Sequence, residues 1–181
     1  MSPCDGPPAA GHDPGDYTAV IPAFNAYADM VGDLFHGGHV NFLRQVRLLA
    51  GERLAERDGV TPEQADSSVR LLVGLLGDES AAAYKRRPIV PLAERAAVVG
   101  ACRYVDLVIP DCPLVVDEPF IERHGLDLVV HGDDFDEDEI ARYYGAAVRL
   151  GIFATVPYTR TDAAGNPLST TAIIARARGS E

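Results

Sequence analysis

Positive charge is scarce in this chain of 181 residues: Lys and Arg total 16 against 27 Asp and Glu, a formal net charge of −11. Non-specific nucleic-acid binding rests on basic patches that displace counterions, so this balance excludes that class. Tryptophan is absent, and lysine is reduced to one residue, Lys85, beside fifteen arginines. A lysine kept in so arginine-rich a chain points to a position where a compact ammonium serves better than a planar guanidinium. The three cysteines, Cys4, Cys102 and Cys112, form no CxxC pair. That excludes a thiolate zinc site and a disulfide framework, and fits a reducing compartment. No leader pattern opens the chain and no apolar run reaches membrane length, so a soluble, cytoplasmic protein without membrane insertion is expected.

What is present suits one α/β domain. Hydrophobic residues make up 47% of the chain, enough for a full core. Residues 1–25 are rich in Pro and Gly without helical or strand period and read as a flexible N-terminal arm. The domain is expected over 26–178. Strands are predicted at 26–31, 69–76, 104–109, 126–131 and 151–156, the third stopped by Pro110. Helices are predicted from the glycines at 37–38 to about residue 50, and over 91–102, 117–124, 137–150 and 170–178. Residues 51–67 are polar and read as an insertion or an extended helix end. The alternation argues for a Rossmann-like, parallel five-stranded sheet with helices on both faces, and for ligands at the carboxyl ends of its strands.

Two constellations fall at that edge. In Asp33-Leu-Phe-His36-Gly-Gly-His39 the histidines are three apart at a helix start, where both face one ligand. The glycines admit close backbone approach, and helix N-termini attract phosphate. The pair alone lacks a third ligand for zinc. Ser169-Thr170-Thr171, with Arg160 upstream, forms a second phosphate cradle. Two cradles facing one cleft suit a nucleoside triphosphate. The acidic run 133–139 reads mainly as a solvated loop and helix start.

The segments 33–49, 71–79, 84–95, 102–109, 126–134, the Arg160-Thr161 pair and 168–174 together resemble the cytidylyltransferases of the HxGH nucleotidyltransferase superfamily, most closely the phosphoethanolamine branch. The resemblance covers roughly 26–178. It implies transfer of CMP from CTP to a small phosphate- or phosphonate-bearing alcohol, of phosphoethanolamine or 2-hydroxyethylphosphonate type, with release of pyrophosphate. Glycerol 3-phosphate as acceptor, an adenylyltransferase of the same superfamily, or an inactive nucleotide-binding sensor are the alternatives. The resemblance also implies Mg2+ accompanying CTP, a place in phospholipid or phosphonate biosynthesis, and a homodimer with the Cys102–Asp106 region near its interface.

By the same resemblance, His36, His39, Lys85 and Arg160 carry catalysis. Gly38, Arg103, Asp106, Asp134, Thr161, Ser169 and Thr170 surround the nucleotide. Asp33 would lie near the acceptor or the metal; a carboxylate within reach of an amine at the acceptor's far end is offered by Asp29 and Asp33. Met30-Val31-Gly32 departs from the family pattern before Asp33, and the loop from Arg160 to Thr171 is longer than the family's.

Overall fold

In a computed structural model, which describes residues 23–84 and 86–179, five parallel strands run in the order β3-β2-β1-β4-β5. They are β1 (Phe24–Met30), β2 (Val69–Leu76), β3 (Leu107–Cys112), β4 (Leu128–Gly132) and β5 (Phe153–Val156). Seven helices connect them: α1 (Gly37–Asp58), α2 (Pro62–Ser68), α3 (Asp78–Tyr84), α4 (Leu92–Gly100), α5 (Glu118–His124), α6 (Glu137–Arg149) and α7 (Thr170–Ala177). The expected doubly covered parallel sheet is present, and its strand order reverses between β1 and β4. At such a switch point the loops diverge and leave a crevice.

The period of two along the strands sorts the core into two layers. Ala26, Ala28, Leu71, Val73 and Val130 pack with Phe42, Leu43 and Val46 of α1 and Val99 of α4. Tyr27, Leu72 and Val129 point the other way, to Phe120 and Ile121 of α5 and Tyr143, Tyr144 and Ala147 of α6. β2 and β1 are buried from both sides, which is why VRLLVGLL is apolar at every position but the exposed Arg70.

Three local expectations are revised. Residues 51–67 are the last turns of α1 followed by α2, and Leu54 and Ala65 are fully buried. Gly59 ends α1 in the left-handed conformation at φ 66°. Thr61 and Gln64 form a reciprocal capping box with Pro62 in the first turn, a pattern legible in TPEQ. The third strand does not stop at Pro110. β3 is an edge strand, where a residue without an N–H is tolerated; it runs to Cys112 past a register shift opposite Leu75 and Leu76. The first strand opens at Phe24, inside the segment expected to be an arm.

Candidate active site

The loops after β1, β4 and β5, joined by the starts of α1 and α7, enclose a cavity of about 480 Å³. This lies within the usual range for small-molecule sites. His36, Gly38 and His39 line it. His36 is the N-cap of α1, and its Nδ1 accepts from the Gly38 N–H at 3.1 Å. The His36 N–H in turn donates to Nδ1 of His39 at 3.2 Å. With each Nδ1 accepting, a neutral ring carries its proton on Nε2, the nitrogen left for a ligand. A Cβ at Gly38 would come within 2.8 Å of the His36 ring, so this glycine lets the imidazole lie over the helix start. Burial, then the adjacent His36, pushes the His39 pKa down to about 3. Burial, then Arg176, holds His36 below the ordinary imidazole range. The pair is therefore a set of neutral N–H donors at neutral pH, with ring centroids 4.1 Å apart.

α7 supplies the second cradle. Ser169 caps it, its Oγ accepting from the Ala172 N–H at 3.1 Å. The Thr170 hydroxyl donates to the main-chain carbonyl of Asp33 at 2.9 Å, pinning this helix start to the first motif. Thr171, whose hydroxyl belonged to the sequence cradle, also lines the cavity. The lengthened loop leaves this arrangement intact. Thr161 bridges to Pro167, Leu168 N–H donates to Arg160 O at 2.8 Å, and the Asp162 carboxylate holds the amides of Ala164 and Asn166. The added residues thus form a small hairpin beyond a closed base, with Arg160 and Leu168 side by side at the cavity. Arg160 meanwhile pairs with Asp133 at 3.0 Å, both side chains exposed. Such an exposed pair is worth about 0–1 kcal/mol and yields readily to a phosphate.

The inner end of the cavity is built around Asp29, on β1 and only 8% exposed. Tyr144 of α6 donates to its Oδ1 at 2.7 Å, while its Oδ2 is buried without a hydrogen-bond partner. Burial raises its pKa, against the pull of His131 and the Tyr144 bond. Rings of Phe135, Tyr143, Tyr144, Tyr158 and His131 line the cavity, so the absence of tryptophan leaves it rich in aromatic surface. The Tyr158 ring occupies the place of a Cβ on Gly132, which would lie 1.8 Å from it. That close approach is what the glycine of His131-Gly132-Asp133-Asp134 permits. Asp134 lines the cavity too, 3.7 Å from His131 Nδ1.

Other expected residues stand elsewhere. Arg103 is exposed, stacked over Tyr104 at 5.7 Å, and does not line the cavity. Asp106 precedes β3 at the amino end of the sheet, opposite the cleft; its Oδ2 takes Arg47 and the Leu71 N–H, each at 2.7 Å. Thr161 serves the hairpin base and is also outside the cavity lining. Lys85 lies outside the described residues. Asp33 reaches the cavity, but its carboxylate is already committed. It accepts from the amides of Ile89 and Val90 and from Arg86 at 2.8 Å. Burial alone would raise this carboxyl; the two amides and Arg86 outweigh it and hold the pKa low. With both oxygens engaged, Asp33 is neither an open acceptor site nor a metal ligand. Among the described residues no group of three His, Cys, Asp or Glu is placed to hold a metal ion. The residues therefore do not form a magnesium cage, and a Mg2+ carried on the CTP phosphates requires none.

Cavity residues to which the sequence assigns no role include Arg86, His131 and Thr159. Arg86 had a signal in its position beside Lys85. The Tyr144 bond to Asp29 had none, since 115 residues separate the two.

Comparison with known proteins shows the family and the fold. An ethanolamine-phosphate cytidylyltransferase of Arabidopsis thaliana is 36% identical over 150 residues, covering 79% of this chain and 30% of the relative. A probable choline-phosphate cytidylyltransferase of Schizosaccharomyces pombe is 31% identical over 137 residues, covering 75% of this chain and 33% of the relative. The chain thus spans about a third of the length of these relatives. The lipopolysaccharide core biosynthesis protein of Thermoplasma volcanium GSS1 shares the fold, with a TM-score of 0.50 at 21% identity over 77% of this chain and 98% of that one. No helix among the described residues is long and apolar enough to cross a membrane. The profile of one family, described as cytidylyltransferase-like, matches residues 32–176, and the chain belongs to that family.

Proposed function

We propose that the protein transfers CMP from CTP to a phospho-alcohol bearing a protonated amine, of the phosphoethanolamine type, and releases pyrophosphate. An oxygen of the acceptor's phosphate attacks the α-phosphorus of CTP. The new P–O bond forms as the bond from the α-phosphorus to the bridging oxygen breaks, and that electron pair leaves with pyrophosphate. The attacking oxygen is already anionic, so positioning and charge stabilisation suffice. Nε2–H of His36 and His39 donate to the phosphates as charge builds. Arg160 exchanges Asp133 for the triphosphate, and the amides of the α7 start complete the cradle.

The observation that carries the acceptor assignment is the unpartnered Oδ2 of Asp29 among the aromatic rings. A buried carboxylate oxygen without a partner is costly, and an N–H-bearing cation relieves it. Rings attract any ammonium, but a quaternary one has no N–H to donate. A neutral hydroxyl offers a donor without the charge. The test is kcat/KM by pyrophosphate release with CTP and four acceptors: phosphoethanolamine, 2-hydroxyethylphosphonate, glycerol 3-phosphate and phosphocholine. Phosphoethanolamine is expected to lead. A tenfold preference for any of the other three, about 1.4 kcal/mol, overturns the amine assignment.

A further inference from the structure

We infer that Arg86 holds the acceptor's phosphate, and that Asp33 is the residue that positions it. This rests on the transfer proposed above.

The two substrates bring two separate anions, a triphosphate and a phosphate monoester. The cavity's described lining includes two guanidinium groups, those of Arg86 and Arg160, carried by different segments of the chain. Arg160 follows β5 and adjoins the α7 start, the wall of the triphosphate. Arg86 lies on the connection between α3 and α4, bound to the turn that follows β1. Asp29 lies on that same strand, four residues before Asp33. A short acceptor reaching from Asp29 toward the triphosphate therefore places its phosphate on the β1 side, where Arg86 stands.

Arg86 is held rather than loose. Its Nη2 donates to Asp33 Oδ2 at 2.8 Å and its Nη1 to the Arg87 carbonyl at 3.1 Å. The Asp33 side chain is 4% exposed and the Arg86 side chain 44%, so the anchor is buried while the guanidinium stays accessible to a ligand. Amides of Ile89 and Val90 also saturate Asp33, so its charge is shared among several donors and does not cancel Arg86 alone. A guanidinium fixed along one edge presents its remaining N–H groups in a defined plane, which suits two phosphate oxygens together. Neither histidine serves this purpose at neutral pH, since both are held uncharged.

The experiment compares wild type with Arg86→Gln and Arg86→Lys. Steady-state kinetics are measured with CTP and phosphoethanolamine varied in turn, and phosphoethanolamine binding is measured by calorimetry in the presence of a non-hydrolysable CTP analogue. Arg86→Gln should raise the acceptor KM and weaken its binding by about tenfold or more, with the CTP KM within about twofold of wild type. Arg86→Lys, which keeps the charge but not the fork, should fall between. A loss confined to folding would shift both substrates together and appear in the melting temperature. An unchanged acceptor KM in Arg86→Gln, or a rise confined to CTP, overturns the inference and leaves the proposed reaction standing. A wild type inactive on every acceptor overturns both. If Arg86→Gln does not fold, Arg86→Lys decides: an acceptor KM equal to wild type sinks the assignment.

Discussion

The Thr170 hydroxyl and the Asp33 carbonyl meet at 2.9 Å although 137 residues separate them. Through that bond the start of α7 is fastened to the turn that leads into His36. The Asp33 carboxylate reaches in the opposite sense, to the amides of Ile89 and Val90. One residue thus ties the α7 start and the α3–α4 connection to the same turn.

Removing that tie should loosen the cradle without emptying it. Thr170→Val keeps the shape and deletes the donor, a loss of about 1 kcal/mol. The expected result is a CTP KM raised about fivefold with the acceptor KM little changed. Initial rates with each substrate varied will check it; an unaltered CTP KM means the bond does not position the cradle.

His36→Ala and His39→Ala should each lower kcat by about 10²-fold or more, the scale for losing a transition-state donor. Both side chains also cap α1, so a drop in melting temperature accompanies the loss. Asparagine at either position restores an N–H donor. It should recover part of the rate, whereas alanine variants with near-normal turnover would exclude the mechanism.

The burial of His39 has a pH signature. Its folded pKa, about 3, lies below the ordinary 6.5, so the unfolded chain binds the proton first as pH falls. Its contribution to stability is complete above the unfolded value and is lost progressively between pH 6.5 and about 3. His36 acts in the same direction. By about pH 5 the loss from His39 reaches at most about 2 kcal/mol, less after solvent screening. Melting curves across that range should slope downward toward acid, and more shallowly for His39→Gln. Parallel slopes would mean the ring is protonated as freely when folded as when unfolded.

Asp29→Asn preserves the Tyr144 hydrogen bond and removes the charge. Activity with phosphoethanolamine should fall about ten- to a hundredfold in kcat/KM, the range for a hydrogen bond to a charged group. With 2-hydroxyethylphosphonate the change should stay within about threefold. Equal losses on both acceptors would assign Asp29 to cavity architecture alone.

Homodimer formation, with the Cys102–Asp106 region at the interface, has a candidate surface. Val98 of α4 and Leu107 of the edge strand β3 flank that region and are 51% and 43% exposed. Sedimentation should show twice the 19.4 kDa chain mass, and Val98→Asp with Leu107→Asp should return it to monomer. A monomer at every concentration of the unmodified chain contradicts the expectation.

Most of the fold was legible in the chain itself. The apolar run of β2, the His36-Gly-Gly-His39 start of α1 and the Ser169 cap of α7 depend on residues within a few positions of one another. Periodicity and capping report such local physics directly. The order of the motifs was enough to place them along one edge of a parallel sheet, and their resemblance to the HxGH cytidylyltransferases pointed to cytidylyl transfer. The lengthened loop and the 51–67 segment were visible as additions, but whether they closed into a hairpin or packed as helix was not.

What only the tertiary structure decided is which of several similar groups is left without a partner at the cavity. Asp29 and Asp33 differ little in sequence context. They part because Tyr144, brought over from α6, takes one Asp29 oxygen and leaves the other bare, while the α3–α4 connection folds back and saturates Asp33. Asp106 looked like a nucleotide residue until the register of β3 placed it at the amino end of the sheet, bound to Arg47. Each outcome turns on a partner far away in sequence, and hydrogen bonds of that kind leave no local pattern to read.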